Sequence, residues 1–323
     1  MNPFVAYRIP GEEKTNFLDT ITSNQEHASF AVVPFVSNNK YQPFYFTGKP
    51  QLYKRSLIDT IDDTKAIKHH ISNKVEYSNQ FKVFQDAFDK KLLDKAILSR
   101  IIVEPFEANK LALLFEALVD LRPDAFIYWF FHPTYGHWLG ATPEVLLTQS
   151  EARYETVSLA GTLYNGHDWT NKELKEQEIV SNYITETLKT CKIDEFDKIG
   201  PVTVEAGPIK HLKTTFVWQK HCDGLQIANL LHPTPAVCGL PKKAALDLIL
   251  ATENHQRGFY TGYLGPIEAG QPKFYVNLRC LNLLNNQAHL FVGGGLTADS
   301  ILENEWQETE HKANSLLGVM ENL

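Results

Sequence analysis

The chain has 323 residues, of which 21% are charged and 43% hydrophobic, and its formal net charge is −7. These values are typical of a soluble globular protein with a sizeable buried core. The acidic balance argues against general binding to nucleic acids or anionic membranes, because both need a surplus of Lys and Arg. No apolar run reaches the roughly 20 residues that a membrane-spanning helix needs, and residues 1–12 lack the pattern of a secretory signal.

The cysteines and turn-forming residues indicate neither covalent cross-links nor an interdomain linker. The four cysteines are widely spaced and form no Cys-x-x-Cys pair (Cys191, Cys222, Cys238 and Cys280). This spacing argues against a zinc site or a disulfide framework and favours a reducing, cytoplasmic environment. There is no repeat of fixed period and no Pro/Gly/Ser-rich linker. We therefore expect one domain over residues 1–323, with residues 1–70 as its variable N-terminal part, and a monomer.

Short strands alternate irregularly with helices along the chain. Runs of β-branched, aromatic and other apolar residues predict strands at residues 31–36, 43–47, 96–104, 125–131, 138–149, 153–159, 201–205, 213–219, 274–284 and 289–293. Apolar residues at helical spacing predict helices within residues 62–91 and at residues 108–121, 170–190, 241–251 and 303–317. This order favours an α+β protein with antiparallel sheets over a regular parallel βαβ arrangement.

Charged residues form a stripe on the last predicted helix. Glu305, Glu308 and Lys312 follow one another at helical spacing, so they lie within about 60° of one another on one face. Leu316 extends the same face. An exposed Glu–Lys ladder gives the same charge pattern. This exposed ladder is the simpler expectation, and a charged stripe that borders a site and then becomes apolar is the alternative.

The helix predicted at residues 170–190 turns two carboxylates towards its buried side. It begins with a capping box at Thr170 and Glu173, and both Glu173 and Glu176 precede the apolar Val180 at helical spacing. Buried carboxylates need a partner charge or a metal. Two helices that each contribute a Glu could hold one Mg²⁺, which prefers oxygen ligands. A capping residue beside a surface Glu is the alternative.

Two further positions carry residues suited to proton transfer. Lys95 opens the strand predicted at residues 96–104 and shares a face with Ile97 and Ile101, and a Lys held among apolar neighbours can act as a base. A Lys that extends from a strand end into solvent is the alternative. Glu144 lies where a strand resumes after a proline, a position that suits a general acid or a turn residue.

Glycines and histidines give weaker signals. Gly293, Gly294 and Gly295 come between a strand and the last helix, where their backbone N–H groups could approach an anion. A tight turn or a bulge is the simpler expectation for this run. The histidines show no metal-ligand spacing such as His-Glu-x-x-His, and we expect most of them, including His211 and His255, to be structural or exposed.

The order of the motifs is more specific than any motif alone. In succession the sequence contains LLDKAILSR, LGATPEVLL, SLAGTL, NKELKEQEIV, LLHPTPAVCGLPK, QRGFYTGYLGPIE, YVNLRCLNL and VGGGLTADSILENEWQETEHK. This succession resembles the chorismate-binding enzymes, the family of isochorismate synthase, salicylate synthase and the large subunits of anthranilate and aminodeoxychorismate synthases. The resemblance covers about residues 75–320. It implies an α+β fold of the anthranilate-synthase-component-I type, with antiparallel sheets packed as a sandwich and helices outside, and chorismate as the substrate.

The resemblance implies roles for five residues at the reaction centre. Lys95 implies water as the nucleophile, since members that add ammonia carry a different residue there, usually Gln. Glu144 is the implied general acid that protonates the departing C4 hydroxyl. Glu176 and Glu308 are the implied ligands of Mg²⁺, with Glu305 close by. This Mg²⁺ would hold the ring carboxylate of the substrate.

The resemblance also implies which residues hold the substrate. Arg279 and Tyr260 would bind the pyruvyl carboxylate, and Lys312 would contact the substrate. Backbone groups at four further positions would line the pocket: Gly161, Thr162, Gly293 and Gly295.

Two positions bear on the product. Lyases and amine-adding members tend to have Thr where this chain has Ala236, which favours a reaction that stops at isochorismate. Tyr260 points the other way, since isochorismate synthases often have Phe there. We therefore expect an Mg²⁺-dependent isochorismate synthase. A salicylate synthase is the nearest alternative, and a non-catalytic binder of chorismate-like metabolites is the alternative of another class. No amidotransferase subunit, nucleic acid or membrane is expected as a partner.

Overall fold

The computed structural model describes residues 1–323 except residues 59–60, 62–66, 165, 207–208 and 220–222. The strands are β1 (Phe4–Arg8), β2 (Thr15–Leu18), β3 (Thr20–Thr22), β4 (Ala28–Val33), β5 (Phe44–Thr47), β6 (Gln51–Leu52), β7 (Lys95–Pro105), β8 (Phe126–His132), β9 (Gly136–Thr142), β10 (Val145–Ser150), β11 (Arg153–Tyr164), β12 (Asp197–Ala206), β13 (Ile209–Gln219), β14 (Gly239–Leu240), β15 (Tyr263–Glu268), β16 (Gln271–Val276), β17 (Cys280–Leu284) and β18 (Gln287–Leu296). The helices are α1 (Lys74–Asp89), α2 (Leu111–Leu121), α3 (Asn171–Thr190), α4 (Gly224–Leu231), α5 (Lys242–Thr252) and α6 (Leu302–Met320).

The strands form two antiparallel sheets. The first sheet has the order β14-β7-β18-β17-β9-β8-β1-β2-β6, and the second has the order β12-β13-β11-β10-β16-β15-β4-β5-β3. Residues 1–70 contribute three strands to each sheet, namely β1, β2 and β6 to the first and β3, β4 and β5 to the second. The antiparallel pairing and the interspersed helices confirm the predicted α+β class. Among the described residues, no helix combines the length and apolar character needed to span a bilayer.

Aromatic side chains from both sheets meet in the central layer. Phe126 of the first sheet stacks on Tyr275 of the second with ring centroids 4.3 Å apart. Along β8, Phe126, Tyr128 and Phe130 belong to this inter-sheet cluster, whereas Trp129 and its odd-numbered neighbours face the outer side. Both faces of this strand are therefore buried, which explains its unbroken apolar sequence.

Helices cover the outer faces of the sheets. Leu111 and Leu118 of α2 and Leu316 of α6 pack with Trp129 on the outer side of the first sheet. Residues of α3 and α4 pack on the second sheet, and α1 and α5 pack beside β7 at the edge of the first. This arrangement confirms the predicted sandwich with helices outside.

The first predicted helix begins later than expected. A helical pattern was predicted within residues 62–91, but residues 62–66 lie outside the described part and α1 begins at Lys74. The start is fixed by Asn73, whose side chain accepts hydrogen bonds from the backbone N–H groups of Val75 and Glu76, while Glu76 accepts one from the backbone of Asn73. This reciprocal capping box is a strong helix-start signal.

Two predicted strands are wrong because the chain changes sheets within them. The strand predicted at residues 138–149 divides into β9 of the first sheet and β10 of the second, and the strand predicted at residues 274–284 divides into β16 and β17. Pro143 cannot donate a ladder hydrogen bond at the first break. Arg279 adopts a left-handed φ of 49° at the second, which no continuous strand accommodates. Both breaks therefore leave Glu144 and Arg279 outside the sheets.

Candidate functional site

Three glycines of β18 form the centre of the candidate site. Gly293, Gly294 and Gly295 pair in regular register with β7, so the expected turn or bulge is wrong. A Cβ atom on Gly293 would lie 2.9 Å from the hydroxyl of Tyr260, and one on Gly295 would lie 3.3 Å from Cε of Lys95. Side chains from other elements thus lie against this strand, and a larger residue at either position would displace them.

Lys95 lies at the start of β7, directly beside this strand. Its side chain is 10% exposed, and its Nζ atom contacts Oε1 of Glu176 at 2.6 Å. Glu176 projects from α3, which packs on the other sheet, so this ion pair joins the two halves of the sandwich. The structure therefore brings together the predicted base and one of the predicted metal ligands.

Helix α6 brings its charged stripe against the same three glycines. Lys312 contacts Glu308 at 2.7 Å and donates a hydrogen bond to the carbonyl of Gly293 at 2.8 Å. Glu305 accepts a hydrogen bond from the hydroxyl of Ser300 at 2.8 Å. A Cβ atom on Gly294 would lie 2.9 Å from Oε2 of Glu305 and 4.0 Å from Oε1 of Glu308. The two carboxylates thus converge over Gly294.

The acidic side chains do not form a closed metal cage. Within the described part of the chain, no three His, Cys, Asp or Glu side chains are grouped closely enough to hold a metal ion. Glu176 and Glu308 instead contact Lys95 and Lys312. The donors are nevertheless all carboxylate oxygens, and two of them converge over a glycine, a chemistry that suits a hard cation such as Mg²⁺.

Glu173, the other inward carboxylate predicted on this helix, has a capping role. It is buried, and its carboxylate accepts a hydrogen bond from the backbone N–H of Thr170 at 3.1 Å. Its Cβ atom lies against Gly161, where a glycine φ of 70° keeps the strand close to the helix. The alternative interpretation of a capping residue is therefore correct for Glu173, whereas Glu176 reaches into the site.

Glu144 lies between the two sheets where the chain crosses from β9 to β10. Its backbone N–H donates to the hydroxyl of Thr142 at 3.3 Å, and its carbonyl accepts from the backbone of Val276 at 2.9 Å. Burial raises the pKa of Glu144 to about 7, although the positive charges of Arg279 and Lys95 act in the other direction. The carboxyl group is thus partly protonated at neutral pH, in the field of two predicted site residues.

Arg279 and Tyr260 differ in their exposure. Arg279 is exposed, and its guanidinium has a pKa lowered by partial desolvation and by the charge of Arg122. Tyr260 is only 4% exposed, and its ring stacks on Phe291 with centroids 5.6 Å apart. The pKa of its hydroxyl is raised by burial. Arg279 therefore offers an exposed positive charge near Glu144, and Tyr260 offers a buried neutral hydroxyl beside Gly293.

A histidine that the sequence did not single out belongs to the same region. His211 on β13 contacts the carbonyl of Gly161 through Nδ1 at 3.1 Å. Burial lowers the pKa of this imidazole, and the charges of Arg279 and Lys312 lower it further. The sequence held no local signal for His211, because its proximity to the glycine depends on the pairing of β11 with β13. Thr162, whose backbone was expected to line the pocket, pairs with His211 in the same two strands.

Ala236 is the predicted residue that the structure connects least directly to the others. It lies partly buried in the segment between α4 and β14. The carbonyl of its neighbour Val237 accepts a hydrogen bond from Arg257 at 2.8 Å. The other predicted positions gather around β18 and the two sheet crossings, whereas Ala236 is linked to them through this buried arginine.

Comparisons with known proteins identify the family of this chain. Residues 47–321 match the family of chorismate binding enzymes. Isochorismate synthase EntC of Escherichia coli (strain K12) is 30% identical over 243 residues, which cover 70% of this chain and 62% of that protein. The chain thus aligns with less than two thirds of the length of this relative.

Two solved structures share the fold. One is MenF, the menaquinone-specific isochorismate synthase of Escherichia coli, with a TM-score of 0.78, 19% identity and coverage of 99% of this chain and 89% of that chain. The other is anthranilate synthase component I of Streptococcus pneumoniae, with a TM-score of 0.73, 16% identity and coverage of 98% and 90%. The fold predicted from the resemblance is confirmed, and the match over most of the chain shows that this protein belongs to the chorismate-binding enzyme family.

Proposed function

We propose that this protein is an isochorismate synthase, an isomerase that converts chorismate to isochorismate. The observation that carries the proposal is the setting of Glu144, whose pKa is raised to about 7 in a site that also holds the charges of Lys95 and Arg279. A carboxyl group that is protonated near neutral pH can act as a general acid, and a lysine in the same site can act as the base. This pair is what an exchange of hydroxyl groups requires.

The relatives support this assignment over others in the family. EntC and MenF are both isochorismate synthases, and Lys95 occupies the position that the resemblance links to water as the nucleophile. Residues 1–70 add strands to both sheets, which supports one catalytic domain over the whole chain. Ala236 supports a reaction that stops before pyruvate is eliminated.

The reaction is balanced by two proton transfers on opposite sides of the ring. Lys95, without its proton, takes a proton from a water molecule whose oxygen bonds to C2 of chorismate. The ring double bonds shift, and the bond between C4 and its hydroxyl oxygen breaks. Glu144 gives its proton to that oxygen, which leaves as water. Solvent then returns the proton from Lys95 to Glu144, so one water enters and one leaves.

Chorismate is a dianion, whereas the chain carries a net charge of −7. Attraction must therefore be local. Arg279 and Lys312 would bind carboxylate groups of the substrate, and Tyr260 would donate its hydroxyl to one of them. His211 is kept neutral by burial and by those two cations.

Glu308, near Gly294, and Glu176, which contacts Lys95 beside Gly295, would be the ligands of Mg²⁺. Glu305 would lie beside them. When bound, the ion would supply a positive charge to the ring carboxylate and stabilise the charge that develops there. Glu176 and Glu308 would then exchange their contacts with Lys95 and Lys312 for contacts with the ion, which would release the Lys95 side chain to act on the water and the Lys312 side chain to bind the substrate.

Product analysis tests the proposal directly. The purified protein is incubated with chorismate and MgCl₂, with and without an ammonium salt, and the products are separated by chromatography. We expect isochorismate as the product, and loss of turnover when EDTA is in excess over Mg²⁺.

The other products would each overturn the proposal in a different way. Salicylate with an equal amount of pyruvate would identify a salicylate synthase, and an aromatic amine would identify an amine-adding enzyme. Chorismate that binds, as followed by calorimetry, but is not consumed would identify a metabolite binder.

A further inference from the structure

A buried ion pair, Glu253 with Arg257, lies behind the part of β7 that carries Lys95. The two side chains are 3% and 2% exposed, and NH2 of Arg257 contacts Oε1 of Glu253 at 2.7 Å. A second contact of 2.8 Å joins Nε of Arg257 to the other carboxylate oxygen. Burial opposes ionisation of Glu253, but the Arg257 guanidinium holds its carboxyl pKa below the ordinary value. Both groups are therefore charged.

The guanidinium of Arg257 also binds the backbone of two chain segments that carry site residues. It donates to the carbonyl of Ile97 at 2.7 Å, two residues after Lys95. It donates to the carbonyl of Val237 at 2.8 Å, next to Ala236. A planar guanidinium presents five N–H donors in a rigid fork, whereas an ammonium group presents three donors from a single nitrogen atom.

The same guanidinium lies beside the turn that follows Tyr260. Its NH1 group is 3.4 Å from the hydroxyl of Thr261, and that hydroxyl donates to the carbonyl of Tyr260 at 2.6 Å. Thr261 has a φ of 59°, a left-handed conformation that a β-branched residue adopts only when its surroundings impose it. The turn that sets Tyr260 is thus held from the Arg257 side.

Glu253 completes the connection through Ser99. Its carboxylate accepts hydrogen bonds from the backbone N–H and the hydroxyl of Ser99, both at 2.8 Å. The hydroxyl of Ser99 also lies 3.0 Å from Nε2 of His255. A Cβ atom on Gly293 would lie 3.2 Å from Cβ of Ser99. The carboxylate therefore fixes β7 directly behind the glycine whose carbonyl accepts from Lys312.

We propose that Glu253 and Arg257 are positioning residues for the reaction, and that this pair sets Lys95, Tyr260 and Ala236 relative to one another. The inference rests on the proposed function for the identity of the substrate. The pair touches neither substrate nor reacting atoms. It acts because three separate segments of the site end on one planar, fully buried group, and a displacement of about 1 Å in such a site can lower the rate by about 10²-fold.

The test compares Arg257→Lys with the wild-type protein. Lysine keeps a positive charge for Glu253, but its three donors extend from one nitrogen, so it cannot reproduce the contacts of Arg257 with both carboxylate oxygens and both the Ile97 and Val237 carbonyls. We expect Arg257→Lys to remain folded by circular dichroism and to lose about 10–100-fold in kcat, with a much smaller change in the KM for chorismate. Asn282→Ala is the matched control, since Asn282 is equally buried and its side chain binds the carbonyls of Tyr135 and His137, away from the predicted site residues. It should lose stability and keep its kcat.

Chemical rescue adds a measurement that a merely structural role would not move. A cavity of about 260 Å³ opens beside the pair and is lined in part by Glu253, His255 and Arg257. Guanidinium chloride at millimolar concentration should restore activity to folded Arg257→Ala, while NaCl at equal ionic strength should not. Asn282→Ala should show no rescue.

Two results would overturn the inference. One is Arg257→Lys with the kcat of the wild-type protein, and the other is folded Arg257→Ala that is fully active or that loses activity without rescue. Rates are followed as consumption of chorismate, whichever product forms. A wild-type product other than isochorismate therefore contradicts the proposed function alone, while the ratio of variant to wild-type rates decides the role of the pair.

Discussion

Two ion pairs contact β7, and they are built differently. Lys95 and Glu176 are 10% and 24% exposed and meet through one contact of 2.6 Å. Arg257 and Glu253 are 2% and 3% exposed, and their remaining donors and acceptors are taken up by backbone groups and by Ser99. The first pair lies at the candidate site beside Gly295 and joins the two sheets of the fold. The second is enclosed by the segments that it binds.

This difference in the number of partners determines which charged groups can take part in the reaction. A flexible ammonium group with a single partner can exchange that partner for water, a substrate or a competing cation at little structural cost. A guanidinium with several backbone partners cannot move without leaving buried polar groups unsatisfied. The Lys95–Glu176 pair, called the open pair, is therefore suited to contain a reacting group. The Arg257–Glu253 pair, called the closed pair, is suited to hold that group in position.

The largest effect is expected from the open pair. Lys95→Gln removes the proposed base while keeping a polar side chain, so we expect kcat for isochorismate formation to fall by about 10²–10⁴-fold. Lys189→Gln is the control, because Lys189 pairs with Glu186 on the same helix as Glu176 but both side chains are exposed. Turnover is measured by chromatography of the products. Full water-dependent turnover in Lys95→Gln would contradict the role of this lysine.

The proposed general acid, Glu144, should determine how kcat depends on pH. Burial raises the pKa of Glu144 to about 7, and the proposed acid must be protonated to act. The wild-type kcat should therefore fall as the pH rises above about 7. Glu144→Gln should lose about 10²-fold or more, and its residual rate should lack that alkaline decline. The measurement is kcat from pH 5.5 to 9 at saturating chorismate and Mg²⁺. The same alkaline decline in the variant would assign it to another group.

A smaller effect is expected where carboxylates converge over a glycine. In Gly294→Ala the new Cβ atom would lie 2.9 Å from Oε2 of Glu305, so that carboxylate must shift. We expect the Mg²⁺ concentration for half-maximal rate to rise by about 10–100-fold. Gly318→Ala is the control, because Gly318 lies on the helix that carries Glu305 and an added Cβ atom there has no neighbour within 4 Å. This variant should have the Mg²⁺ dependence of the wild-type protein. Equal Mg²⁺ dependence in both variants would contradict metal binding at Gly294.

Local sequence patterns predicted most helices and strands, but they did not predict which sheet each strand joins. The unbroken apolar run of β8 predicted a buried strand, and helical spacing predicted the helix α6; both are confirmed, because burial on two faces and helical spacing are visible in sequence. The crossings at Glu144 and Arg279 were missed, since strand propensity does not say which sheet a strand joins. The glycines of β18 were misjudged for the same reason. Their small size is required by side chains that approach from α6, β7 and the segment before β15.

The supporting residues were also missed, although part of their signal was present. Glu253 and Arg257 stand at i and i+4, a spacing that by itself predicts only an exposed helix pair. Their burial follows from the strands and the turn that close over them. The family resemblance rests on motifs, and these motifs contain Lys95 and Glu176 of the open pair. It assigned no role to the closed pair or to His211, because their roles depend on packing between distant segments of the chain.

The smallest effect concerns stability and separates the burial of Glu144 from its catalytic role. Its folded-state pKa is raised above the ordinary value of 4.5, so the stability contributed by the protonated form is fully present below that value and is lost as the pH rises through about 7. Glu144→Gln cannot ionise. It should therefore be more stable than the wild-type protein at pH 8 by about 1 kcal/mol, after allowance for solvent screening of a partly exposed group, and equally stable at pH 4. Urea unfolding at the two pH values measures this difference. A variant that is no more stable at pH 8 would mean that the Glu144 carboxylate is solvated in the cleft, and the proposed acid would then lack the desolvation that keeps it protonated.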